Sequence, residues 1–280
     1  MNTNRKQFII RMGIVLSFLV FLPAAASAER CLIQEDVVGK GGVGQGRGGV
    51  WAPRVWTTRV PLAPAGSVVV ENVQGDIAVE AWDRAEVEIA VVKTASGPSG
   101  NPDDVRVEVE SKDRALTLRT LYPQQSDDPV RVDYRLRVPR QVRLERLQTV
   151  EGTIMVREVE GSVNAHTLNG NIEQRGVSGS VVARAMNGNI LVSLRALPDR
   201  NGAVQLDTVS GHIFLILPPR ASADLQLSTV SGRIDSNYPL TVSQMPGDTS
   251  RRARLGEGGV QVRVRTVRGN IRVAENEELL

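Results

Sequence analysis

The chain is poor in the residue types that usually build disulfides, metal sites and sugar-stacking surfaces. Its 280 residues include one cysteine, two histidines and 4% aromatic residues. Cys31 stands alone and therefore cannot form an internal disulfide. Neither His166 nor His212 has a second histidine or a cysteine at metal-ligand spacing. We therefore predict no metal and no cofactor, and the low aromatic content argues against a lectin that stacks sugars on its surface.

A strong charge of one sign is also missing. The chain has 34 basic and 31 acidic residues, and residues 1–28 hold three of the basic ones and no acid, which leaves 31 of each in residues 29–280. Such a balance gives no general field that would attract nucleic acid. Residues 29–280 also contain no apolar run long enough to span a bilayer. We expect no nucleic-acid partner and no stable membrane insertion after signal cleavage.

The first 28 residues have the pattern of a secretory signal. Arg5, Lys6 and Arg11 precede an apolar core over 14–22, and Ala26-Ser27-Ala28 is a small-residue cleavage site. The sequence therefore predicts a signal peptide over 1–28 and an exported protein, periplasmic or extracellular. Residues 29–64 are predicted to be a Gly/Pro-rich linker, residues 65–275 a β-strand repeat domain and residues 276–280 a tail.

What the sequence does contain is a nine-residue glycine register over residues 148–192. It reads as five blocks, QTVEGTIMV, REVEGSVNA, HTLNGNIEQ, RGVSGSVVA and RAMNGNILV, with glycine at 152, 161, 170, 179 and 188. An aliphatic residue or Met lies two positions before each glycine, and Ile or Val two positions after it. A fixed short period is typical of stacked structural units. Because residues two apart in a strand share a face, the register predicts that Val150, Gly152 and Ile154 all point inward.

The blocks alternate, which predicts the size of one coil. Asn-Gly-Asn occurs at 169–171 and again at 187–189, and the blocks between them carry Gly161 and Gly179, also eighteen residues apart. We expect a coil of two blocks in which Asn169 stacks near Asn187, and side-chain ladders or turn caps from these asparagines and Asn171 and Asn189. The alternative is an antiparallel meander or sandwich with Asn-Gly as type I′ turns.

The same register recurs more loosely outside the array, so the repeat glycines include four others: Gly75, Gly211, Gly232 and Gly269. Alternating β-branched segments fill residues 68–140, with turn clusters between them, and hairpins are expected there. The fold class predicted is all-β, a β-solenoid of short stacked strands similar to a single-stranded β-helix.

Three further features resemble a known family. They are Val68 to Val79 followed by Trp82-Asp83, the recurring Thr-Val-Ser-Gly-x-Ile at 208–213 and 229–234, and Leu217 to Leu225. Together they resemble the bacterial putative-adhesin family of exported β-strand repeat proteins, a domain of unknown function, over about Thr57 to Val273. The resemblance implies an exported β-solenoid-like domain and supplies no catalytic residues. Arg220 stands where the family usually has a glycine after a proline pair.

Three kinds of chemistry are alternatives to an ordinary solvated surface: repeated calcium sites, glycan cleavage and a basic ligand-binding strip. The array blocks contain no aspartate, which argues against the calcium-binding nonapeptide repeat. A glycan-cleaving β-helix needs convergent acids, and Asp207, Asp224 and Asp235 are the ones available near the later coils. A basic strip that faces a ligand is the third hypothesis, and its candidates are Arg251, Arg252 and Arg254.

The hypothesis that accounts for most of these features is a non-enzymatic exported protein that binds an envelope protein or a surface glycan. Stacked repeats present a broad rigid face suited to such a partner. The alternatives are a scaffolding protein without a soluble ligand and a polysaccharide-cleaving enzyme. An exposed terminal coil also leaves a homodimer open.

Overall fold

The computed structural model describes residues 31–32, 53–97, 100–123, 129–242 and 250–275. The predicted signal peptide, most of the predicted linker and the predicted tail lie outside the described residues. Among the residues that the model describes, no helix is long and apolar enough to cross a membrane.

The described chain is almost entirely β-strand, as the sequence predicts. The strands are β1 (Cys31–Leu32), β2 (Arg54–Pro61), β3 (Gly66–Glu71), β4 (Ile77–Trp82), β5 (Glu86–Ala95), β6 (Arg106–Lys112), β7 (Ala115–Leu121), β8 (Val130–Pro139), β9 (Val142–Glu151), β10 (Ile154–Arg157), β11 (Val163–Asn169), β12 (Ile172–Ser178), β13 (Val181–Asn187), β14 (Ile190–Ala196), β15 (Ala203–Ser210), β16 (Ile213–Leu217), β17 (Ala223–Ser231), β18 (Ile234–Ser236), β19 (Thr241–Val242), β20 (Arg251–Leu255), β21 (Val260–Arg268) and β22 (Ile271–Glu275). A short 3₁₀ turn spans Pro102–Asp104.

The strands form two facing sheets. One has twelve strands in the order β1-β6-β7-β3-β9-β11-β13-β15-β21-β17-β20-β19, and we call it the long sheet. The other has ten strands in the order β18-β22-β16-β14-β12-β10-β4-β8-β5-β2, and we call it the short sheet. Through the array the chain alternates between the sheets, so each coil contributes one strand to each.

The nine-residue register therefore builds a β-solenoid with an eighteen-residue coil. Val163 pairs with Val181 and Asn169 with Asn187 in the long sheet, and both pairings are parallel. In the short sheet Ile154 pairs with Ile172, again in parallel. The predicted solenoid and the predicted stacking of Asn169 on Asn187 are confirmed. The antiparallel meander is wrong for the array, because sequential strands lie in different sheets.

The order of the coils departs from chain order at both ends. The first coil, β3–β4, lies between β7–β8 and β9–β10, and the last coil, β21–β22, lies between β15–β16 and β17–β18. At each end of the solenoid, one coil is therefore inserted between two coils that are closer to each other in sequence. Antiparallel strands lie beyond it, at the edges of the sheets. The hairpin β6–β7 and the antiparallel pair β5–β8 confirm the hairpins expected in residues 68–140.

The predicted linker is too long. Residues 54–61 within it form β2, which pairs antiparallel with residues 86–93 of β5 at the edge of the short sheet. Val60 is buried, and Trp56 packs against the core. Two apolar side chains and eight residues of backbone pairing with β5 bury enough surface to order this segment. A glycine-rich sequence has too few apolar side chains to do so.

The core lies between the sheets and is filled mainly by Val, Leu and Ile. Inward positions in β11 are Val163, Ala165 and Thr167, and in the short sheet Ile154 and Val156. The prediction of which side chains point inward is therefore correct for the residues that follow the glycine. It is wrong for those that precede it, because Val150 is partly exposed whereas Thr149 is buried. The corner at Gly152 resets the phase, so the residue two positions before the glycine points outward.

Buried threonines tie successive coils together at this corner. Each hydroxyl donates to a glycine carbonyl of the neighbouring coil: Thr149 to Gly75, Thr167 to Gly152, Thr208 to Gly188, Thr266 to Gly211 and Thr229 to Gly269, at 2.9–3.1 Å. Ala185 lies between Thr167 and Thr208 in this row and has no hydroxyl to donate.

Ala185→Thr is expected to raise the free energy of unfolding by about 1 kcal/mol, because it adds a buried hydrogen bond to the Gly170 carbonyl. Urea unfolding measures the change. Thr208→Ala is the matched control, since it removes the same bond one coil further on and should lower the free energy by a similar amount. A destabilising Ala185→Thr would show that the row has no room for the extra atoms.

Candidate functional site

The most distinctive surface feature is a line of aliphatic side chains on the outer face of the long sheet. In spatial order they are Val73, Val150, Leu168, Met186, Val209, Val267 and Val230, and we call them the apolar ladder. Each lies two positions before a corner glycine. The parallel pairing of Asn187 with Ser210, and of Ser210 with Arg268, sets the preceding ladder residues side by side.

The ladder is open to solvent over most of its length. Apart from Val150, which is partly buried, its members are 39–74% exposed. Its last five members, from Leu168 to Val230 in spatial order, line a shallow groove of about 530 Å³. Adjacent strands lie about 4.8 Å apart, so seven rungs extend for about 29 Å. Single exposed aliphatic residues are ordinary, but a contiguous line of them marks an interaction surface.

The corner beside the ladder is held by side chains that bond to the next coil. Asn171 Oδ1 accepts the amide of Asn189 at 2.9 Å, and Asn189 Oδ1 accepts the amide of His212 at 2.8 Å. His212 Nδ1 then accepts the amide of Asn270 at 3.0 Å. The side-chain Nδ2 of Asn187 also donates to Asn169 Oδ1 at 2.9 Å. The predicted asparagine ladders are confirmed, and they fix the edge that carries the apolar side chains.

The predicted repeat glycines form two columns at corners of the coil. One column contains, in spatial order, Gly75, Gly152, Gly170, Gly188, Gly211, Gly269 and Gly232, and the other contains Gly161 and Gly179. A Cβ on Gly170 would lie 1.9 Å from the carbonyl oxygen of Gly152, and one on Gly179 would lie 2.4 Å from that of Gly161. The prediction of an inward-facing row was wrong, because these residues stack backbone on backbone at the corners.

A charged row runs beside the ladder on the same face. Asp207 lies between Arg184 at 3.6 Å and Arg265 at 3.3 Å. Across β11, β13, β15, β21, β17 and β20 the outward positions hold five arginines (Arg184, Arg252, Arg254, Arg263 and Arg265) and two aspartates (Asp207 and Asp224), a net charge of +3. This face is therefore basic although residues 29–280 as a whole are balanced.

The three arginines proposed as ligand-facing lie together on β20, but they do not share a face. Arg252 and Arg254 are exposed on the outer face, whereas Arg251 alternates with them and is partly buried opposite Leu227. Arg254 is engaged by Asp224 at 3.2 Å. Only Arg252 and Arg254 can therefore belong to one basic strip, because neighbouring strand residues point to opposite sides.

The three candidate acids do not converge. Asp207 is held between two arginines, Asp224 accepts hydrogen bonds from the Gly259 amide and from Arg254, and Asp235 lies on β18 of the other sheet. The Gly259 amide, and then Arg254, lower the pKa of Asp224 below its usual value. A lowered pKa favours the carboxylate, the opposite of what a general acid requires.

His166 lies at the N-terminal end of the groove, with its Nε2 2.6 Å from Asn164 Oδ1. Burial first, and then Arg184 and Arg146, lower its pKa below 6.5. The folded protein therefore resists protonation more than the unfolded chain does.

We expect the free energy of unfolding to fall as the pH drops below about 6.5, because the unfolded chain then binds a proton that folded His166 binds only at lower pH. Urea unfolding between about pH 7.5 and 5 measures this slope. His166→Gln should make the slope shallower. An unchanged slope in the variant would mean that other groups cause it.

The ladder is the feature that sequence reasoning missed. The error came from carrying one side-chain phase through the glycine. Val163, Ala165 and Thr167 already alternate without interruption, and that row places Leu168 on the other face. If the alternation of apolar residues in each strand had been continued as far as the glycine, it would have predicted that the ladder residues point outward.

Several solved structures are similar to this chain. A putative cell adhesion protein from Clostridium sporogenes is 12% identical, with 80% of this chain and 100% of that chain covered and a TM-score of 0.43. A putative adhesin from Bacteroides fragilis is also 12% identical, with 79% and 96% covered and a TM-score of 0.43. A putative lipid binding protein from Parabacteroides distasonis is 12% identical, with 79% and 96% covered and a TM-score of 0.31.

No curated protein matches the sequence. The family described as Toastrack DUF4097 matches residues 57–274, which is most of the chain and agrees with the residues that carried the resemblance. The chain therefore belongs to the Toastrack DUF4097 family.

Proposed function

We propose that this protein is a non-enzymatic exported binding module that holds a component of the cell envelope on the outer face of its long sheet. The apolar ladder carries the proposal. Its seven members are aligned by the parallel register, so a partner would meet one continuous apolar strip on a rigid support.

The exposure of the ladder has a cost that binding would remove. Each aliphatic side chain that is taken from water contributes about 25 cal/mol per Å² of apolar surface. The same sequence buries aliphatic side chains efficiently elsewhere: Val163, Val181 and Val204 are at most 1% exposed on the inner side of these strands. A partner that covers the ladder would gain this free energy over the whole strip.

Other features of the molecule support binding over catalysis. The acids near the groove are separated and paired with arginines or backbone amides. The groove is shallow, whereas sites that enclose small substrates are concave and bury most of the ligand. A broad face with an apolar strip and a basic border suits a macromolecular partner in the periplasm or at the cell surface.

The test compares two variants in a pull-down from fractionated envelope. The purified protein should retain a saturable partner, and Leu168→Ser with Met186→Ser should lose it. Phe214→Ser is the matched control, because Phe214 is similarly exposed but lies on the short sheet. Retention of every partner by the ladder variant, or a polymer that shortens on contact, would overturn the proposal.

A further inference from the structure

We infer that the apolar ladder is a docking groove for an amphipathic α-helix whose apolar stripe is bordered by acidic residues. The inference rests on the proposed binding function and names the chemistry of the partner. Two observations carry it: the repeat distance of the ladder, and the excess of arginine beside it.

The repeat distance fits a helix that lies across the strands. Rungs are about 4.8 Å apart, and one helical turn rises about 5.4 Å, so successive turns of a helix fall behind successive rungs by about 0.6 Å each, which is about half a rung over five rungs. Seven rungs extend for about 29 Å, and five helical turns for about 27 Å. An amphipathic helix presents apolar side chains at i, i+3, i+4 and i+7, which form a single stripe of this kind.

The width of the apolar surface also favours a helix over a bilayer. The ladder is one side chain wide, because the threonines that precede it along the strands point into the core and the next outward row is charged. A bilayer surface would be matched by a protruding apolar region, whereas a single apolar stripe is matched by a shallow linear groove.

The charges select an acidic helix. Arg184 and Arg265 lie in the row next to the ladder with Asp207 between them, which leaves these three residues with a net positive charge, and Arg263 lies one row beyond. On the other side Arg268 is exposed at the corner, where its Nε bonds to Ser210 at 3.2 Å. Carboxylates on either flank of a docked helix would meet these guanidinium groups, which bind carboxylates in a planar, two-bond geometry.

The probe is a fluorescein-labelled peptide of about 18 residues with leucines at helical spacing and glutamates on both flanks. Fluorescence anisotropy with the full protein should show saturable binding. Leu168→Ser with Met186→Ser should weaken the affinity about tenfold or more. Arg263→Glu should weaken it at low salt, and the difference should shrink at about 1 M salt, where charges are screened within about 3 Å.

Two control variants match these on the opposite sheet. Phe214→Ser removes an exposed apolar side chain there, and Arg272→Glu reverses an exposed arginine of the same final coil. Both should bind the peptide as the parent does. All four proteins should melt alike, since the substituted side chains are exposed and such changes usually shift stability by less than about 0.5 kcal/mol.

Three outcomes would overturn the inference: equal binding of a scrambled peptide, equal binding of the peptide with lysine in place of glutamate, or ladder-dependent binding of anionic phospholipid vesicles with no binding of the peptide. If the peptide fails while the envelope partner still depends on Leu168 and Met186, the helix inference is wrong and the binding function stands. If the envelope partner is also independent of the ladder, both are wrong.

Discussion

Gly170→Val is expected to abolish cooperative folding of the array. A Cβ at this position would lie 1.9 Å from the carbonyl oxygen of Gly152, and φ at Gly170 is +156°. The clashing atom belongs to a backbone that itself stacks on Gly75. Neither coil can move without breaking its pairing with the next coil, so a local shift of the backbone cannot relieve the clash. We expect a loss of more than about 4 kcal/mol in the free energy of unfolding.

Far-ultraviolet circular dichroism and urea unfolding measure this loss. Gly259→Ala is the matched control: φ there is +119°, also unfavourable for a side chain, but no atom of the described residues lies within 4 Å of the added Cβ. Its cost should be limited to backbone strain, about 1–3 kcal/mol. If Gly170→Val unfolds with the same midpoint as the parent, backbone stacking at this corner is not what the glycines provide.

The coil could be predicted from the sequence because its cause is local and repeated. Asn169-Gly170-Asn171 and Asn187-Gly188-Asn189 stand eighteen residues apart, and each makes the same corner. Steric exclusion at the glycine and side-chain capping at the asparagine act within a few residues, so spacing along the chain becomes spacing between coils. The family resemblance over nearly the same residues agrees with this.

The order of the coils could not be predicted in this way. β21–β22 inserts between segments that precede it in the chain, and β3–β4 inserts between segments that follow it. Such pairing depends on contacts between residues far apart in sequence. Strands with similar aliphatic patterns could pair in several orders, and the pattern within each strand does not distinguish between these orders. The strand at Arg54–Pro61 was missed for the same reason, since its partner β5 lies about thirty residues on.

The candidate site was not predicted, for a different reason. An aliphatic residue two positions before a repeat glycine is buried in some blocks and exposed in others. Val-x-Gly at 159–161 buries its valine completely, whereas Leu168 before Gly170 is exposed. At 175–177 the register shifts and Gly176 adopts φ +65°, which returns Val177 to the core before the corner. In β11 the buried positions alternate without interruption from Val163 to Thr167, so Leu168 points outward.

Gln174→Leu is expected to stabilise the protein by about 2 kcal/mol. Gln174 is fully buried, and its amide nitrogen and oxygen have no hydrogen-bond partner among the described residues. It pairs with Val156 and Val192, so it interrupts an aliphatic column. An unpaired buried amide costs about 1–3 kcal/mol, and leucine of similar size would remove that cost and add apolar burial.

Thermal unfolding should show the gain as a rise in Tm of about 4–8 °C for a domain of this size. Gln174→Ala separates the two contributions, because it removes the same polar atoms but leaves a cavity, and it should gain little or lose stability. A lower Tm for Gln174→Leu would mean that the amide is satisfied in the folded protein. A higher Tm would show that this coil holds together against an uncompensated polar group, as expected when stability comes from backbone ladders and aliphatic stacking repeated in every coil.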